Sequence, residues 1–242
     1  MAYPGLKREF TVQFDPVWRW IRRGERETGF LRFAEDCIRP GETVLDVGAH
    51  LGESALLFSE LVGPGGRVVA FEPDPVARRS LLRNQELNGA ANATVEEDSV
   101  SDRAGAATLV TERLGSGAAT IVHPQAEARG TRALEVGSTT VDRYCEAHAI
   151  SPDWVKIDAE GAEPLVVRGM RQTIARHHPS VILEFHMQGL SGDEKAAAWA
   201  EITMGASSAK VLDIIPSSRA YLEELLRGGP PDCDFLIVYL EY

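Results

Sequence analysis

The stretch Thr43-Val-Leu-Asp-Val-Gly-Ala-His-Leu-Gly52 constrains this chain more than any other. Thr43 to Val47 is a short apolar run carrying one acid, Asp46, with Pro40-Gly41 before it and Gly48 after it. A run that short, closed by turn residues, reads as a buried parallel strand rather than a helix. The segment Gly52 to Val62 then places Ala55, Leu56, Ser59 and Val62 on one helical face. Gly48 and Gly52 let the backbone approach a ligand closely, and the helix N-terminus presents unpaired N–H groups. Strand, glycine turn and helix together predict a nucleotide-cofactor site.

The spacing Gly-x-x-x-Gly differs from the Gly-x-Gly-x-x-Gly of dinucleotide-binding folds. A dinucleotide needs the helix end for its pyrophosphate, whereas an acid at Asp46 suits a ligand carrying an amino group and a sulfonium. The next apolar run, Arg67 to Phe71, leads into Glu72, about 20 residues further on, where a ribose-binding carboxylate is expected. The two acids point to S-adenosylmethionine rather than NAD. An NAD(P)-dependent oxidoreductase is the rival reading, and a plain βαβ unit with incidental acids is the bland one.

From Pro40 onward, apolar runs alternate with helical patterns, which predicts an α/β fold with a mostly parallel sheet and helices on both faces. Expected strands are 43–47, 67–72, 93–97, 106–110, 133–136, 154–158, 180–186, 210–215 and 233–241. One helix is expected after Gly161, burying Leu165, Val166, Gly169, Met170 and Ile174 and ended by His177-His178-Pro179, and Ala196 to Ala206 is expected to form another. Leu114 to Thr131, rich in Gly, Ala and Ser, reads as a mobile loop of the kind that makes lids. Residues 1–39 are expected as an arm and a helical lead-in, with Trp18 and Trp20 docking it or lining a substrate entrance. Residues 40–242 form the cofactor-binding domain.

At 242 residues the chain can build one large core. Its formal charge of −11 offers no positive excess for phosphates, which argues against a nucleic-acid partner. Arg78, Arg79 and Arg83 are read as a solvated helix face. Three widely spaced cysteines form neither a disulfide framework nor a zinc pattern, which favours a reducing compartment. With no signal peptide expected at the start and no apolar run of about 18 residues, a soluble cytoplasmic protein is expected, with no membrane partner. A homo-oligomer stays open, because the last alternating strand suits either a sheet edge or a dimer contact.

Ligands of open α/β sheets bind beyond the carboxyl ends of the strands. Four such ends here are polar: Asp46-Val-Gly48, Glu72, Asp158-Ala-Glu160-Gly161 and Glu184-Phe-His186. Glu72 can accept both ribose hydroxyls. Asp98 can accept from an adenine amino group, with Ser99 N–H free for a ring nitrogen, or simply form a turn. Asp158 and Glu160 can orient a substrate hydroxyl, hold a metal with Glu184, or pair with Lys156. His186 titrates in the range of a general base near neutral pH, or is a hydrogen-bonded rim histidine. His50 is a further candidate, more suited to packing near the cofactor tail.

Six stretches in order carry a family resemblance: Val44 to Gly52; Phe71-Glu-Pro-Asp-Pro75 with Asn84 and Asn88; Ser101 to Gly105; Thr140-Val-Asp142; Lys156-Ile-Asp-Ala-Glu-Gly161 with Glu163; and Ile182-Leu-Glu184. With them the sequence resembles the FkbM-type S-adenosylmethionine-dependent methyltransferases. The resemblance implies a class I, Rossmann-like seven-stranded sheet whose last strand is antiparallel. It also implies methyl transfer, usually to a hydroxyl of a small-molecule natural product or sugar. By position, Asp46, Gly48 and Gly52 would hold the methionine end, Glu72 the ribose, and Asp98 with Ser99 the adenine, while Asp158 and Glu160 would lie beside the acceptor. His50 and Pro73 join the cofactor-binding candidates and His186 the catalytic ones. The family commonly has Asn where this chain has His50. N-methylation and a catalytically silent cofactor-binding protein are the alternatives, and a divalent metal is left open.

Overall fold

The computed structural model describes residues 10–12, 28–115, 117–122, 131–187, 190–214 and 235–242. Trp18 and Trp20 lie outside the described residues, as do 116 and 123–130 of the expected lid. Of the lead-in, Thr28–Cys37 is helical (α1), and its Phe33 ring packs on Tyr239 and edge-on to Trp154, with centroids 4.8 and 6.3 Å apart.

The first strand, β1 (Thr43–Val47), lies between parallel neighbours β2 (Arg67–Phe71) and β7 (Trp154–Ile157). Outside β2 comes β3 (Ala93–Glu96), and outside β7 come β8 (Ser180–His186), β10 (Phe235–Glu241) and β9 (Ser208–Ile214). The order is β3-β2-β1-β7-β8-β10-β9, and β10 is antiparallel to both of its neighbours. This is the seven-stranded, mostly parallel sheet that the family resemblance implies.

The crossovers are helical: α2 (Glu53–Val62), α3 (Pro75–Asn88), α4 (Val141–His148), α5 (Glu163–Arg168), α6 (Arg171–His177) and α7 (Gly192–Thr203). Side chains alternate between faces along each strand. Val44, Val68, Ala70 and Ile182 therefore join α1, α2 and α3 in one core. Leu45, Val69, Val155 and Leu183 face the other way, onto α4, α5 and α7. Helix α2 is buried on nearly all sides rather than along one stripe, because α1 and α3 cover what the sheet leaves open; Glu60 is its exposed residue. Among the described residues, no helix is long and apolar enough to cross a membrane.

Three expectations are revised. Ala106–Val110 and Ala133–Val136 belong to a separate three-stranded sheet, β4 (Ser99–Val100), β6 (Arg132–Thr139) and β5 (Gly105–Thr111), ordered β4-β6-β5. The single helix expected between Gly161 and His177 is broken at Gly169, where a Cβ would stand 2.1 Å from the Ser101 carbonyl oxygen. The second helix restarts there because Asp142 caps it, its carboxylate accepting from Gln172 N at 3.1 Å and Thr173 N at 2.7 Å. Arg78 is more than a solvated side chain: its guanidinium donates to the Glu72 and Pro73 carbonyls at 3.0 and 3.1 Å, pinning the turn into α3.

Candidate active site

The polar rim follows from strand periodicity. On the α1/α2 face of the sheet, Val44 is followed by Asp46, Trp154 by Lys156, and Ile182 by Glu184 and His186. The register pairs Asp46 with Lys156 and Lys156 with Ile182, so these groups gather at the carboxyl ends of the three central strands.

Lys156 is the hub. Its ammonium donates to Gly48 O at 3.1 Å and Asp158 Oδ2 at 3.2 Å, and lies 3.6 Å from Asp46 Oδ1. Burial opposes its charge, but Asp158, Asp46 and Glu184 outweigh that and raise its pKa, so it stays an ammonium. Asp46 is wholly buried and accepts from Ser54 Oγ at 2.7 Å; burial raises its pKa, against Lys156 and Ser54. Its carboxylate thus faces Lys156 and the helix start. Gly48 has φ +76°, and a Cβ on it would lie 1.8 Å from the Asp158 carbonyl oxygen. Its need for glycine therefore comes from chain packing.

On the turn after β2, Glu72 is 6% exposed. Its Oε2 accepts from His50 N at 2.7 Å and its Oε1 from Asp74 N at 2.8 Å. The two amides fix the carboxylate plane while leaving each oxygen a second lone pair. Half-buried Pro73 follows, and Asp74 caps α3, accepting from Val76 N at 2.8 Å and Ala77 N at 3.2 Å. The His50 ring does not enter this cluster; its Nε2 lies 3.2 Å from Gly115 O, and Gly115 N donates to Asp74 at 2.6 Å. Gly52, at φ +92°, starts α2. Half-buried Asp98 packs against Gly137, and Ser99 Oγ donates to Gly137 O at 2.9 Å, so the small sheet supports this corner.

Burial pushes the Glu72 carboxyl up to about 7, against the two amides that favour its charge. A carboxyl raised on folding stabilises the fold below its unfolded pKa of about 4.5 and loses that contribution as pH rises through 7. The loss amounts to about 3 kcal/mol by linkage. The stability difference between wild type and Glu72→Gln, measured by urea titration from pH 4 to 9, should therefore shift with pH across this window. A pH-independent difference would refute it.

Asp158, Glu160 and His186 do come together. His186 Nε2 lies 3.8 Å from Glu160 Oε2 and 4.0 Å from Asp158 Oδ1. Its Nδ1 is held at 2.9 Å by Glu163 Oε1, which also accepts from Ala159 N at 3.1 Å and Gly161 N at 3.0 Å. Burial opposes the ring's charge, yet Glu163, Asp158 and Glu160 push its pKa up to about 10. At neutral pH His186 is therefore an imidazolium, a proton donor, where the ordinary range of histidine predicts a base. Sequence reasoning undervalues Lys156 and Glu163; their spacing to Asp158 and Glu160 is visible in the chain, but not their burial.

Residues 46–237 match the Methyltransferase FkbM domain. The chain belongs to the FkbM methyltransferase family. Its seven-stranded fold is shared with the FkbM methyltransferase structure from Methylobacillus flagellatus, at TM-score 0.55 and 18% identity over 89% of this chain and 48% of that one. Among curated relatives, the 31-O-demethyl-FK506 methyltransferase FkbM of Streptomyces tacrolimicus is 44% identical, over 28% of this chain and 25% of its own length. The hexuronic acid methyltransferase AglP of Haloferax volcanii is 29% identical over 75% of this chain and 72% of its own. The matched part is thus a quarter of the first relative and about half of the solved FkbM chain. In this chain of the FkbM family, Glu72 and the Asp158–Glu160–His186 group stand at strand ends of one sheet, separated by the β1 turn.

Proposed function

We propose that this chain is an S-adenosylmethionine-dependent O-methyltransferase acting on a hydroxyl of a sugar or small-molecule natural product. One observation carries the reading: a carboxylate fixed by two backbone amides on the β2 side, with two carboxylates and an imidazolium across the β1 turn. Glu72 suits a ribose diol, and the second group suits an acceptor hydroxyl. The activities for which the relatives are named, on a demethylated FK506 and on a hexuronic acid, support an oxygen acceptor on a polyoxygenated molecule.

Bound S-adenosylmethionine would supply the sulfonium methyl, so that a C–O bond to the acceptor would form as the C–S bond broke. Asp158 or Glu160 would take the hydroxyl proton. Lys156 and the His186 imidazolium stabilise that carboxylate pair and orient it. Positioning supplies most of the acceleration, as in other reactions brought within one site.

Calorimetric titration with S-adenosylhomocysteine tests the cofactor half. Wild type should bind, and Glu72→Ala should lose binding by roughly 100-fold, because a charged acceptor of two hydroxyl hydrogen bonds is removed. Asp158→Asn should keep cofactor affinity but lower turnover roughly 10²- to 10⁴-fold in a screen of uronic acids and polyhydroxylated acceptors. A well-folded wild type that ignores S-adenosylhomocysteine would sink the proposal.

A further inference from the structure

We propose that Asp158, Glu184 and His186 form a binding site for a divalent cation of the Mg2+/Mn2+ class, placed where the acceptor oxygen would lie. The proposal deepens the acceptor-site reading above and rests on it for its role, though not for its existence.

The geometry begins with strand register. Lys156 pairs with Ile182 and Ile157 with Leu183, so Asp158, one residue past β7, draws level with Glu184. Two residues on, His186 lies on the same face of β8 as Glu184. Each of the three side chains offers one donor atom, and all three atoms lie within 4.8 Å of one another. Metal–oxygen bonds of about 2.1 Å set neighbouring donors about 3 Å apart, so binding requires a contraction that side-chain rotations can supply. Two carboxylate oxygens and one imidazole nitrogen suit Mn2+ or Mg2+ better than thiolate-seeking ions. Three protein ligands leave coordination positions open for water or an acceptor oxygen.

Glu163 is the independent observation. It is fully buried, and its Oε1 takes the Nδ1 side of His186 while being held by two backbone amides. That is the outer carboxylate that fixes the ring of a metal-binding histidine, and it aims Nε2 at Asp158. Its other oxygen, Oε2, is buried without a hydrogen-bond partner among the described residues. The local charge agrees. Asp46, Asp158, Glu160, Glu163 and Glu184 gather around two basic side chains, Lys156 and His186, and a divalent cation at Nε2 takes the place of the proton that the ring carries there without it.

Mn2+ alone, titrated into the full chain and followed by electron paramagnetic resonance, provides the test. One saturable site is expected. Glu184→Gln and His186→Ala should each weaken it at least about 10-fold, and Glu163→Gln about 10- to 100-fold through loss of the ring's orientation. S-adenosylhomocysteine titrated into the same variants reports folding and the cofactor site separately. Wild type that binds S-adenosylhomocysteine but no Mn2+, or Mn2+ affinity that Glu184→Gln leaves unchanged, would overturn the proposal while leaving the methyltransferase reading intact. Site-specific Mn2+ binding without S-adenosylhomocysteine binding would support the cation site and defeat the cofactor reading instead.

Discussion

Lys156→Met is expected to lower the unfolding free energy by about 3–5 kcal/mol at neutral pH, the cost of stranding a buried partner charge. The Lys156 side chain is 5% exposed and its partner Asp46 is 0% exposed. Asp46 Oδ1 has the ammonium at 3.6 Å as its ion-pair partner but no hydrogen bond, while Oδ2 accepts from Ser54. With methionine at 156, that carboxylate keeps only the Ser54 hydroxyl and is driven further toward its neutral acid. Burial already raises the Asp46 pKa, so the sign follows. A carboxyl raised on folding favours the folded state at low pH and disfavours it as pH rises. The variant should therefore recover stability on acidification from pH 7 to 5 relative to wild type. Asp46→Asn combined with Lys156→Met should recover part of the loss, since no buried charge is then stranded. Urea denaturation of the single and double variants measures this. A loss under about 1 kcal/mol for Lys156→Met, the scale of an exposed pair, would show that the pair is solvated.

The same pair marks how far the sequence can be read. The alternation of apolar runs and helical patterns predicts the parallel sheet, because buried central strands and their crossover helices leave different periods in the chain. The antiparallel β10 comes from the family resemblance; an alternating last strand does not by itself state its direction. The small β4-β6-β5 sheet is half visible as strands, but pairing is a long-range choice, and 20 residues lie between the end of β5 at Thr111 and the start of β6 at Arg132. Helix α2 carries too many small and apolar residues for one stripe, a sign of burial on several sides that a single-face reading misses. At the site, periodicity puts Glu184 and His186 on one strand face and Asp158 and Glu160 on the next strand end. Titration state is beyond it: the ordinary range of histidine suggests a base, and three carboxylates around His186 make it an acid. Gly48 is legible as a required glycine, yet the close approach that requires it is to Asp158 O.

That close approach makes Gly48→Ala the second large effect. The new Cβ would lie 1.8 Å from a backbone oxygen and 2.9 Å from its carbon, so no side-chain rotation can relieve it. The residue also holds φ +76°, where an L side chain adds strain of about 1–2 kcal/mol. The β1 turn must therefore move away from the end of β7. Gly48 N donates to Phe71 O at 3.0 Å and Gly48 O accepts from Lys156 at 3.1 Å, so the shift reaches the Glu72 turn and the lysine hub together. A loss of about 4 kcal/mol or more is expected, with S-adenosylhomocysteine binding abolished, because both strain and overlap contribute. Gly41→Ala separates the two contributions. Gly41 has φ +91°, but a methyl group added there would meet nothing within 4 Å, so it carries the strain without the clash. Its loss should be about 1–2 kcal/mol, with cofactor binding intact. If the two variants unfold within about 1 kcal/mol of each other, backbone strain alone accounts for Gly48, and β1 and β7 do not close on each other at the site as tightly as their register implies.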